Sequence, residues 1–423
     1  MLTDIHNYMG DEVLLQDESN VKGTILARVG NKDNRLIVAN SNTQNHNICV
    51  VGPSGSGKTT CFVKPFLLQA GKRKESVMVT DCNDELYVCA SLYFRANGYI
   101  VHRINLKNPK HSDGWDLVGE LRGEPEMAEL LVSCILANID ISDESEDYRA
   151  GVKQLVTAVA LYAALSDKVK TACDIRDMMT QADSESYLDT LFNNIDQDSA
   201  LYSARKMYVV FKQTDEDARS KILDKIAEVF KQVPEALWNV LSRPGADLVE
   251  PGEVPCAYFL ELNPMGAYPV LESAFFSFLY YDLAGERKFG RGVPVNVVLN
   301  EFANIGVIPQ LDKLMATGWR QQIHTVVVAQ SIEQIKQRCS GAAAALLAQC
   351  PVRVCLGCTD VTTARYFSEQ AGVEVVEGKR GEDERPFLTV DEALRLDINE
   401  CLVALPKGVV RGEKCANMAF AAT

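Results

Sequence analysis

The sequence predicts an α/β fold with a predominantly parallel sheet, interrupted by an inserted all-α domain. Towards both ends of the chain, short β-branched apolar runs alternate with segments of helical periodicity, which is the pattern of parallel strands joined by helices. From about residue 120 to 242 no convincing strand occurs, while apolar residues recur at helical spacing. We therefore predict an α/β domain formed by residues 1–119 and 243–423, and an inserted acidic all-α domain formed by residues 120–242.

The predicted strands and helices follow one another in βα order. The strand NICVV leads into a glycine-rich segment and the helix-like CFVKPFLLQA. The strands SVMVTD and YIVHRINL come next, separated by the helical ELYVCASLYFRANG. After the insertion we expect the strands CAYFLEL, VNVVLNE, IHTVVVAQ, VRVCLGC and ECLVALP, with a long helix from about 268 to 289 and a short one near 309–316.

The composition excludes several classes of protein. With 47% hydrophobic and 24% charged residues, the chain is an ordinary globular protein. No apolar run reaches the roughly 18 residues of a membrane helix, and the first residues lack signal-peptide features. Several of the 13 cysteines lie in apolar strand-like runs, which indicates buried thiols instead of disulfides. The pair Cys355 and Cys358 has no second pair at zinc-binding spacing.

A glycine-rich segment between the first strand and its helix matches the phosphate-binding pattern G-x-x-x-x-G-K-[ST]. Its residues, with one following threonine, are Gly52, Pro53, Ser54, Gly55, Ser56, Gly57, Lys58, Thr59 and Thr60. Backbone N–H groups of such a loop surround phosphates, and the helix N-terminus adds partial positive charge. We expect Lys58 to reach the β and γ phosphates of ATP, and the Thr59 hydroxyl to bind Mg²⁺.

The strand NVVLNEF ends on an amide, Asn300, followed by a carboxylate, Glu301. A phosphate-loop protein needs an acidic strand end that holds the Mg²⁺ shell and polarises the attacking water. We expect Glu301 to be the water-orienting base, and Asn300 to bind Mg²⁺ through a water molecule. An amide oxygen can accept from metal-bound water but carries no charge. The alternative is a strand-end turn residue followed by a solvated carboxylate.

The strand IHTVVVAQ ends on a further amide, Gln330. Ligands of parallel sheets gather at the carboxyl ends of the strands, so this side chain can sense the γ phosphate or position water. The alternative is an ordinary polar residue at the start of the next helix.

Five motifs, in order and spacing, resemble those of type IV secretion coupling proteins, the TraG-type ATPases of bacterial conjugation. They are the phosphate loop, LNEFANIGVIPQLDKLMATG, VVVAQSIEQI, VCLGCTDVTTARYFSEQAG and RPFLTVDEALRL. The resemblance covers about residues 47–112 and 254–405. It implies a RecA-like nucleotide-binding domain with an inserted all-α domain. It also implies a ring, usually hexameric, that uses ATP to deliver single-stranded DNA and attached protein to a secretion channel.

The chain departs from the family pattern at three places. Family members usually carry Asp-Glu where this chain has Asn300 and Glu301, which implies attenuated hydrolysis. The family usually has D-P-K-G-E after the second strand, and only Asp81 and Glu85 carry over. Where the family commonly has an arginine, this chain has a tryptophan followed by Arg320. Arg320 is therefore the candidate for a residue that acts on a neighbouring subunit's nucleotide, with an ordinary surface arginine as the alternative.

The net charge of −14 is concentrated in the insertion. Residues 120–240 contain 23 acidic and 13 basic side chains, a net charge of −10. DNA binding by counterion release requires lysine and arginine. We therefore expect the insertion to meet a basic protein, such as a relaxase or an adaptor, and not to grip DNA. The basic loops at 71–74 and 379–385 are better candidates for phosphate contacts.

Three functions remain open from the sequence. The first is an ATP-driven motor that moves single-stranded DNA through a ring pore, with secretion-channel and membrane components as further partners. The second is a docking platform that binds ATP but hydrolyses it slowly or not at all, and the third is a secretion ATPase for protein alone. The family's usual N-terminal membrane helices are absent from this sequence. We expect a cytoplasmic chain held at the cytoplasmic face of the inner or cell membrane by a missing transmembrane segment or by a partner.

Overall fold

The computed structural model describes residues 13–16, 21, 23–30, 33–39, 45–181, 183–263, 266–286, 292–378 and 381–415. In chain order the strands are β1 (Val13–Gln16), β2 (Thr24–Gly30), β3 (Asp33–Ala39), β4 (Ile48–Val51), β5 (Ser76–Asp81), β6 (Ile100–Asn105), β7 (Cys256–Glu261), β8 (Val295–Leu299), β9 (Ile323–Ala329), β10 (Val352–Cys355), β11 (Val373–Gly378), β12 (Gly381–Pro386), β13 (Glu400–Leu405) and β14 (Gly408–Glu413).

Sixteen α-helices occur in the described residues, and a π-helical turn, Lys58–Val63, leads directly into the first helix. In chain order they are α1 (Lys64–Lys72), α2 (Glu85–Ala96), α3 (Leu117–Leu121), α4 (Pro125–Asn138), α5 (Glu146–Leu165), α6 (Ala172–Thr180), α7 (Ser184–Asn193), α8 (Tyr202–Phe211), α9 (Glu216–Gln232), α10 (Glu235–Val240), α11 (Pro269–Glu286), α12 (Leu311–Gly318), α13 (Ile332–Cys339), α14 (Ala343–Ala348), α15 (Val361–Ala371) and α16 (Val390–Leu394). In the part of the chain that is described, none of these helices is both long and apolar enough to cross a bilayer.

Twelve of the described strands form one sheet, in the order β1-β3-β2-β14-β13-β10-β4-β9-β8-β5-β7-β6. The seven strands from β10 to β6 pair in parallel throughout. Five of these strands, β4, β9, β8, β5 and β7, are buried along their whole length, as expected for a sheet covered on both faces, whereas the edge strand β6 is partly exposed. Parallel pairing also places the carboxyl ends of these seven strands at one edge. The predicted α/β fold with a predominantly parallel sheet is confirmed.

The other five strands of this sheet form an antiparallel extension that the sequence did not reveal. Strand β13, which contains the predicted run ECLVALP, pairs antiparallel with β10 and with β14. Only Pro406 and Lys407 separate β13 from β14, and a connection of two residues permits a hairpin but no parallel crossover. Strands β2, β3 and β1 continue the extension beyond β14.

Between β6 and β7 the described chain contains helices and no strand. These helices do not have a core of their own, because one continuous hydrophobic cluster joins them to α11 and to one face of the sheet. Within that cluster the Cys134 thiol of α4 lies 3.3 Å from the Ser277 hydroxyl of α11. A second cluster covers the other face of the sheet. The division of the chain at residues 120 and 242 stays a prediction.

Trp115 connects the entrance of the insertion to the α/β core. Its ring packs edge-on against Phe275 and Phe278 of α11, with centroids 5.3 and 6.2 Å away. Its backbone N–H donates to the Val240 carbonyl at the other end of the insertion. The side chain is 1% exposed, so a smaller residue would leave a cavity between the two parts of the molecule.

We expect Trp115→Ala to lower the free energy of unfolding by about 3 to 5 kcal/mol, because it removes a fully buried aromatic side chain. Urea unfolding followed by far-UV circular dichroism measures the change. Leu92→Ala is the matched control, since Leu92 is 73% exposed and its loss should cost less than about 0.5 kcal/mol. Equal losses in the two variants would contradict the assignment of Trp115 to the shared core.

Candidate nucleotide-binding site

Three neighbouring strands bring the sequence-predicted residues to one edge of the sheet. Strand β4 leads into the glycine-rich loop, β9 leads to Gln330, and β8 leads to Asn300 and Glu301. Strand β9 lies between β4 and β8 and pairs in parallel with both. The first N–H of the loop, that of Gly52, donates to the Ala329 carbonyl at the end of β9, with an N–O distance of 3.2 Å.

The backbone of the loop has the conformation that a phosphate cradle needs. Gly55 and Gly57 have φ angles of 77° and 92°, in the left-handed region that glycine occupies without strain. A Cβ atom on Gly52 would lie 2.4 Å from the Ser56 hydroxyl oxygen and 3.2 Å from the Leu356 Cβ atom, so a larger residue would force these side chains to shift. Ser54 and Gly55 are exposed at the tip of the loop, where their N–H groups can reach a ligand.

Lys58 lies at the centre of the loop and is 6% exposed. Its ammonium group donates to the carbonyls of Gly52 and Pro53, at 2.8 and 3.2 Å. Burial lowers the pKa of Lys58, and the nearby Glu301 carboxylate acts in the opposite direction. The two charged groups therefore interact across the site, and a phosphate would supply the anionic partner that the loop carbonyls replace here.

The hydroxyl groups around Lys58 differ in their surroundings. Thr59 is partly buried at the start of the helix, and Thr60 is exposed, with its hydroxyl 3.5 Å from the Gly57 carbonyl. The Ser56 hydroxyl is buried and has no hydrogen-bond partner among the described residues. Lys414, which follows β14, donates to the Ser56 carbonyl at 2.9 Å. The antiparallel extension therefore supports the loop, a contact that nothing in the sequence predicted.

In the described chain Asn300 has an unpartnered polar atom and Glu301 has a strained backbone, and both features are typical of ligand-binding sites. Asn300 is 5% exposed, and its buried Oδ1 atom accepts no hydrogen bond from any described residue. Its backbone carbonyl is fixed by the Thr80 hydroxyl at 2.6 Å. Glu301 has a φ of 55°, which is strained for a residue with a side chain and is a feature that clusters at functional sites. An amide oxygen without a partner among the described residues is suited to accept a hydrogen bond from a metal-bound water.

The structure does not bring the remaining two candidates equally close. Gln330 is exposed at the carboxyl edge, with its backbone N–H donating to the Gln334 side chain at 2.8 Å. Arg320 lies in a short 3₁₀ turn, Trp319–Gln321, at the opposite end of β9, and its guanidinium is 5.1 Å from the Trp319 ring centroid. Because β9 is seven residues long, Arg320 lies roughly 20 Å from the glycine-rich loop of the same chain.

The two family-pattern acids after β5 have structural partners. The buried Asp81 carboxylate accepts from the N–H groups of Leu86 and Tyr87, both at 2.9 Å, and so caps α2. Glu85 forms an ion pair with Lys64 at the start of α1. These contacts fix two helices behind the site and leave neither acid without a partner.

The two basic loops give little support to a phosphate contact. The segment 71–74 contains the last two residues of α1 and therefore lies at the end of that helix away from the glycine-rich loop. In it, Arg73 pairs with Glu75, and Lys74 donates to the Asn97 carbonyl. The first residues of the other loop, Lys379 and Arg380, lie outside the described residues.

Sequence reasoning missed the side chains that hold the segment after Glu301. Within Ile305–Val307, the Gly306 N–H donates to the Glu272 carboxylate at 2.8 Å. The guanidinium of Arg338 donates to the Ile305 carbonyl. Glu272 is fully buried, and its second oxygen has no partner among the described residues.

Two further side chains hold the last residue of this segment. The Asn138 amide accepts from the Val307 N–H at 2.6 Å and donates to the Val307 carbonyl at 2.9 Å. The Ser273 hydroxyl donates to the same carbonyl at 2.7 Å. These partners lie 34 and 169 positions away in the chain, so no local sequence signal could have identified them.

The fold and this site together define a RecA-like P-loop NTPase. The chain belongs to the type IV secretory system conjugative DNA transfer family, whose sequence profile matches residues 7–385. Membership in this family confirms the resemblance seen in the sequence and assigns the chain to conjugative DNA transfer. No curated protein sequence matches the chain significantly.

Solved structures with the same fold include two of the plasmid coupling protein TrwB. The complex with ADP and Mg²⁺ has a TM-score of 0.72 and 17% identity, over 95% of this chain and 91% of that chain. The complex with the ATP analogue ADPNP has the same score and identity, over 97% and 96%. VirB4 of Thermoanaerobacter pseudethanolicus has a TM-score of 0.57 and 14% identity, over 94% of this chain and 98% of that chain. At these identities the likeness shows a shared fold.

Glu272 makes the stability of the protein depend on pH. Burial raises its pKa from 4.5 to about 7, and the Gly306 N–H and Arg338 oppose this rise only in part. A carboxyl group with a raised folded-state pKa contributes most below its unfolded pKa and loses that contribution as the pH rises through the folded pKa. The affected window therefore runs from about pH 4.5 to above 7.

We expect Glu272→Gln to remove part of the decline in unfolding free energy between pH 5 and pH 8, because the amide stays neutral. The difference between the two proteins should grow by about 1 to 3 kcal/mol over this range. Urea unfolding at each pH measures it. Glu253→Gln, at an exposed position, is the control and should follow the native curve. Parallel curves for native protein and Glu272→Gln would refute the prediction.

Proposed function

We propose that the chain is an ATP-driven coupling protein, which delivers single-stranded DNA and attached protein to the channel of a type IV secretion system. One observation carries the enzymatic part of this proposal. The glycine-rich loop, Gln330 and the pair Asn300–Glu301 lie on three adjacent parallel strands at one sheet edge, with Glu301 close enough to influence the pKa of Lys58. Family membership supports the role in DNA transfer.

The phosphate loop would hold the substrate ATP. Its exposed N–H groups surround the phosphates, and the Lys58 ammonium group exchanges its loop carbonyls for phosphate oxygens. The Thr59 hydroxyl would be a ligand of Mg²⁺, and Asn300 would hold the ion through water, for which its buried Oδ1, without a partner among the described residues, is suited. When bound, Mg²⁺ offsets the negative charge of the phosphates.

Glu301 would orient the attacking water and accept its proton. Its carboxylate follows β8 directly, and the left-handed backbone at this residue fixes where the side chain leaves the strand. Gln330, one strand closer to the loop, is placed to contact the γ phosphate or the same water. Asn300 remains neutral, so this site supplies one carboxylate where the family commonly supplies two.

Arg320 would act on the nucleotide of a neighbouring subunit. It lies at the opposite edge of the sheet, roughly 20 Å from the nucleotide site of the same subunit. It could therefore contact a phosphate only in the site of a neighbouring subunit. A ring of identical subunits, usually a hexamer in proteins that this chain resembles, would provide that geometry. The pore of such a ring would carry the single strand.

Asn300 favours a second candidate function. If its amide cannot substitute for a carboxylate, the chain would bind ATP, hydrolyse it slowly and act as a docking platform for substrates. A secretion ATPase that exports protein without DNA is a third candidate, although the family assignment favours DNA transfer. Turnover and its response to DNA separate the three.

For the motor we expect steady-state ATP hydrolysis that single-stranded DNA stimulates. Lys58→Ala and Glu301→Gln should each lower kcat by about 10²-fold or more, because one removes a phosphate charge partner and the other the base. Lys231→Ala, at an exposed position in the insertion, and Glu333→Gln are matched controls outside the site and should retain turnover. Phosphate release at saturating ATP measures all five proteins in the same oligomeric state.

Each contrary outcome identifies another function. Background turnover in the native protein, raised by Asn300→Asp, would identify the docking platform. Hydrolysis that responds to a protein substrate but not to single-stranded DNA would identify the protein-only ATPase. Full turnover in Glu301→Gln would remove Glu301 from the role of base.

The acidic insertion would recruit a basic protein, such as a relaxase or an adaptor. Its net charge of −10 repels DNA, and the acidic residues of the stretch 142–147 are exposed to solvent. We further propose that the protein works at the cytoplasmic face of the inner membrane, in contact with channel and membrane components. The basic partner and the DNA would therefore bind different parts of the molecule.

We expect neutralisation of two exposed insertion acids, Asp143→Asn with Glu144→Gln, to weaken binding of the basic partner about 2- to 10-fold and to reduce its salt dependence. Affinity for single-stranded DNA should not fall. The control pair Glu253→Gln with Glu369→Gln makes the same change in net charge outside the insertion. Fluorescence anisotropy at two salt concentrations measures both ligands, and equal effects of the two pairs would point to net charge alone.

A further inference from the structure

The segment Ile305–Val307 is held by side chains from several different parts of the fold. Helix α11 contributes Glu272 and Ser273, α13 contributes Arg338, and the inserted helix α4 contributes Asn138. Together they satisfy the Ile305 carbonyl, the Gly306 N–H and both polar groups of the Val307 backbone. Loops normally bond to water, so such complete fixation by buried and half-buried side chains indicates a segment whose position matters.

This segment is connected rigidly to Glu301. A single 3₁₀ turn, Phe302–Asn304, lies between them, and the Asn304 N–H donates to the Glu301 carbonyl at 2.8 Å. On the far side, a Cβ atom on Gly306 would lie 1.8 Å from the Pro269 carbonyl oxygen, so the backbone here touches the start of α11 directly. A displacement of Ile305–Val307 would therefore be passed to Glu301.

Asn138 is the member of this set that belongs to the insertion. It is the last residue of α4, and its amide makes a two-way hydrogen bond with the Val307 backbone while also donating to the Cys134 carbonyl of its own helix. An amide side chain reproduces the donor and acceptor of a peptide group and so fixes both direction and distance. It thereby joins the end of α4 to the segment that follows β8 and Glu301.

The surroundings leave this segment room to move. A cleft of about 490 Å³ opens beside it, lined by Asn138, Asn304, Ile305, Val307 and Arg338 among others. Among the described residues, no side chain fills this cleft, so on this side the polar groups of the segment are held by hydrogen bonds, while the Ile305 side chain packs into the core on the other side. Loss of the Asn138 contacts would therefore free the Val307 backbone on the cleft side, while Ile305 and Gly306 stay packed against the core and the start of α11.

We infer that Asn138 is a positioning residue, which ties the inserted helices to the backbone that sets Glu301, so that nucleotide binding and the packing of the insertion are coupled. This inference rests on the proposed nucleotide site. It gives the insertion a second role besides recruitment, because a partner whose binding displaces α4 would alter the position of Glu301. In the other direction, nucleotide at the loop would change the protection of α4.

Hydrogen–deuterium exchange of the full chain, with and without the ATP analogue ADPNP and Mg²⁺, tests the coupling without hydrolysis. In the native protein we expect the analogue to protect residues 52–63 and to change exchange in 125–138. In Asn138→Leu we expect protection at 52–63 to persist and the response at 125–138 to disappear. Exchange of the Val307 amide should become about 3- to 10-fold faster even without nucleotide.

Two control variants isolate the contact between the insertion and the segment. Asn194→Leu removes an amide that donates to the Thr190 carbonyl, as Asn138 does to Cys134, on an inserted helix away from the segment. Ser273→Ala removes a hydrogen bond to the Val307 carbonyl from α11. Both should keep the response at 125–138. If Asn138→Leu does not fold, Asn138→Asp retains the size and the acceptor, places a carboxylate against the Val307 carbonyl and should show the same loss.

The outcomes separate this inference from the proposed function. Protection at 52–63 with no change at 125–138 in the native protein would overturn the coupling alone. A full response in a folded Asn138 variant would do the same. Absence of protection at 52–63 would overturn the nucleotide site, and the coupling with it.

Discussion

Parallel hydrogen bonding between β4, β9 and β8 is the constraint on which the rest of the site depends. It places three strand ends side by side, so that a phosphate loop, an amide and an amide–carboxylate pair share one edge although about 270 residues separate the first from the last. The Gly52 N–H is bound to β9 itself, which fixes the loop to the sheet. Without this register the same residues, which are distant in sequence, would also be distant in space.

The site is costly to maintain, and the surrounding structure compensates for that cost. Buried polar atoms of Ser56 and Asn300 have no hydrogen-bond partner in the part of the chain that the structure describes, and the Glu301 backbone is strained. Such features persist only where neighbouring contacts determine the position. Lys414 holds the loop from the antiparallel extension, and Asn138 and Glu272 hold the segment after Glu301. The extension and the insertion are therefore supports of the site as well as neighbours of it.

The shared core explains why the insertion can influence the site. Helices α4 and α11 pack together, and Trp115 seals their junction. A force on the insertion acts on α11, which also carries Glu272 and Ser273 beneath the hydrolytic strand end. A helical domain tethered by flexible linkers could recruit a partner but could not report its presence to Glu301. In the function proposed above, this packing would link recruitment by the insertion to catalysis at Glu301.

The sequence by itself determined the parallel strands, the phosphate loop and the strand ends at Asn300, Glu301 and Gln330, because periodicity and local motifs are properties of contiguous residues. It also revealed the family, through the order of its motifs. Only the tertiary structure decided the antiparallel extension, the contact of Lys414 with the loop and the side chains that hold Ile305–Val307. Those depend on register and on contacts across up to 358 positions, which leave no pattern in the sequence.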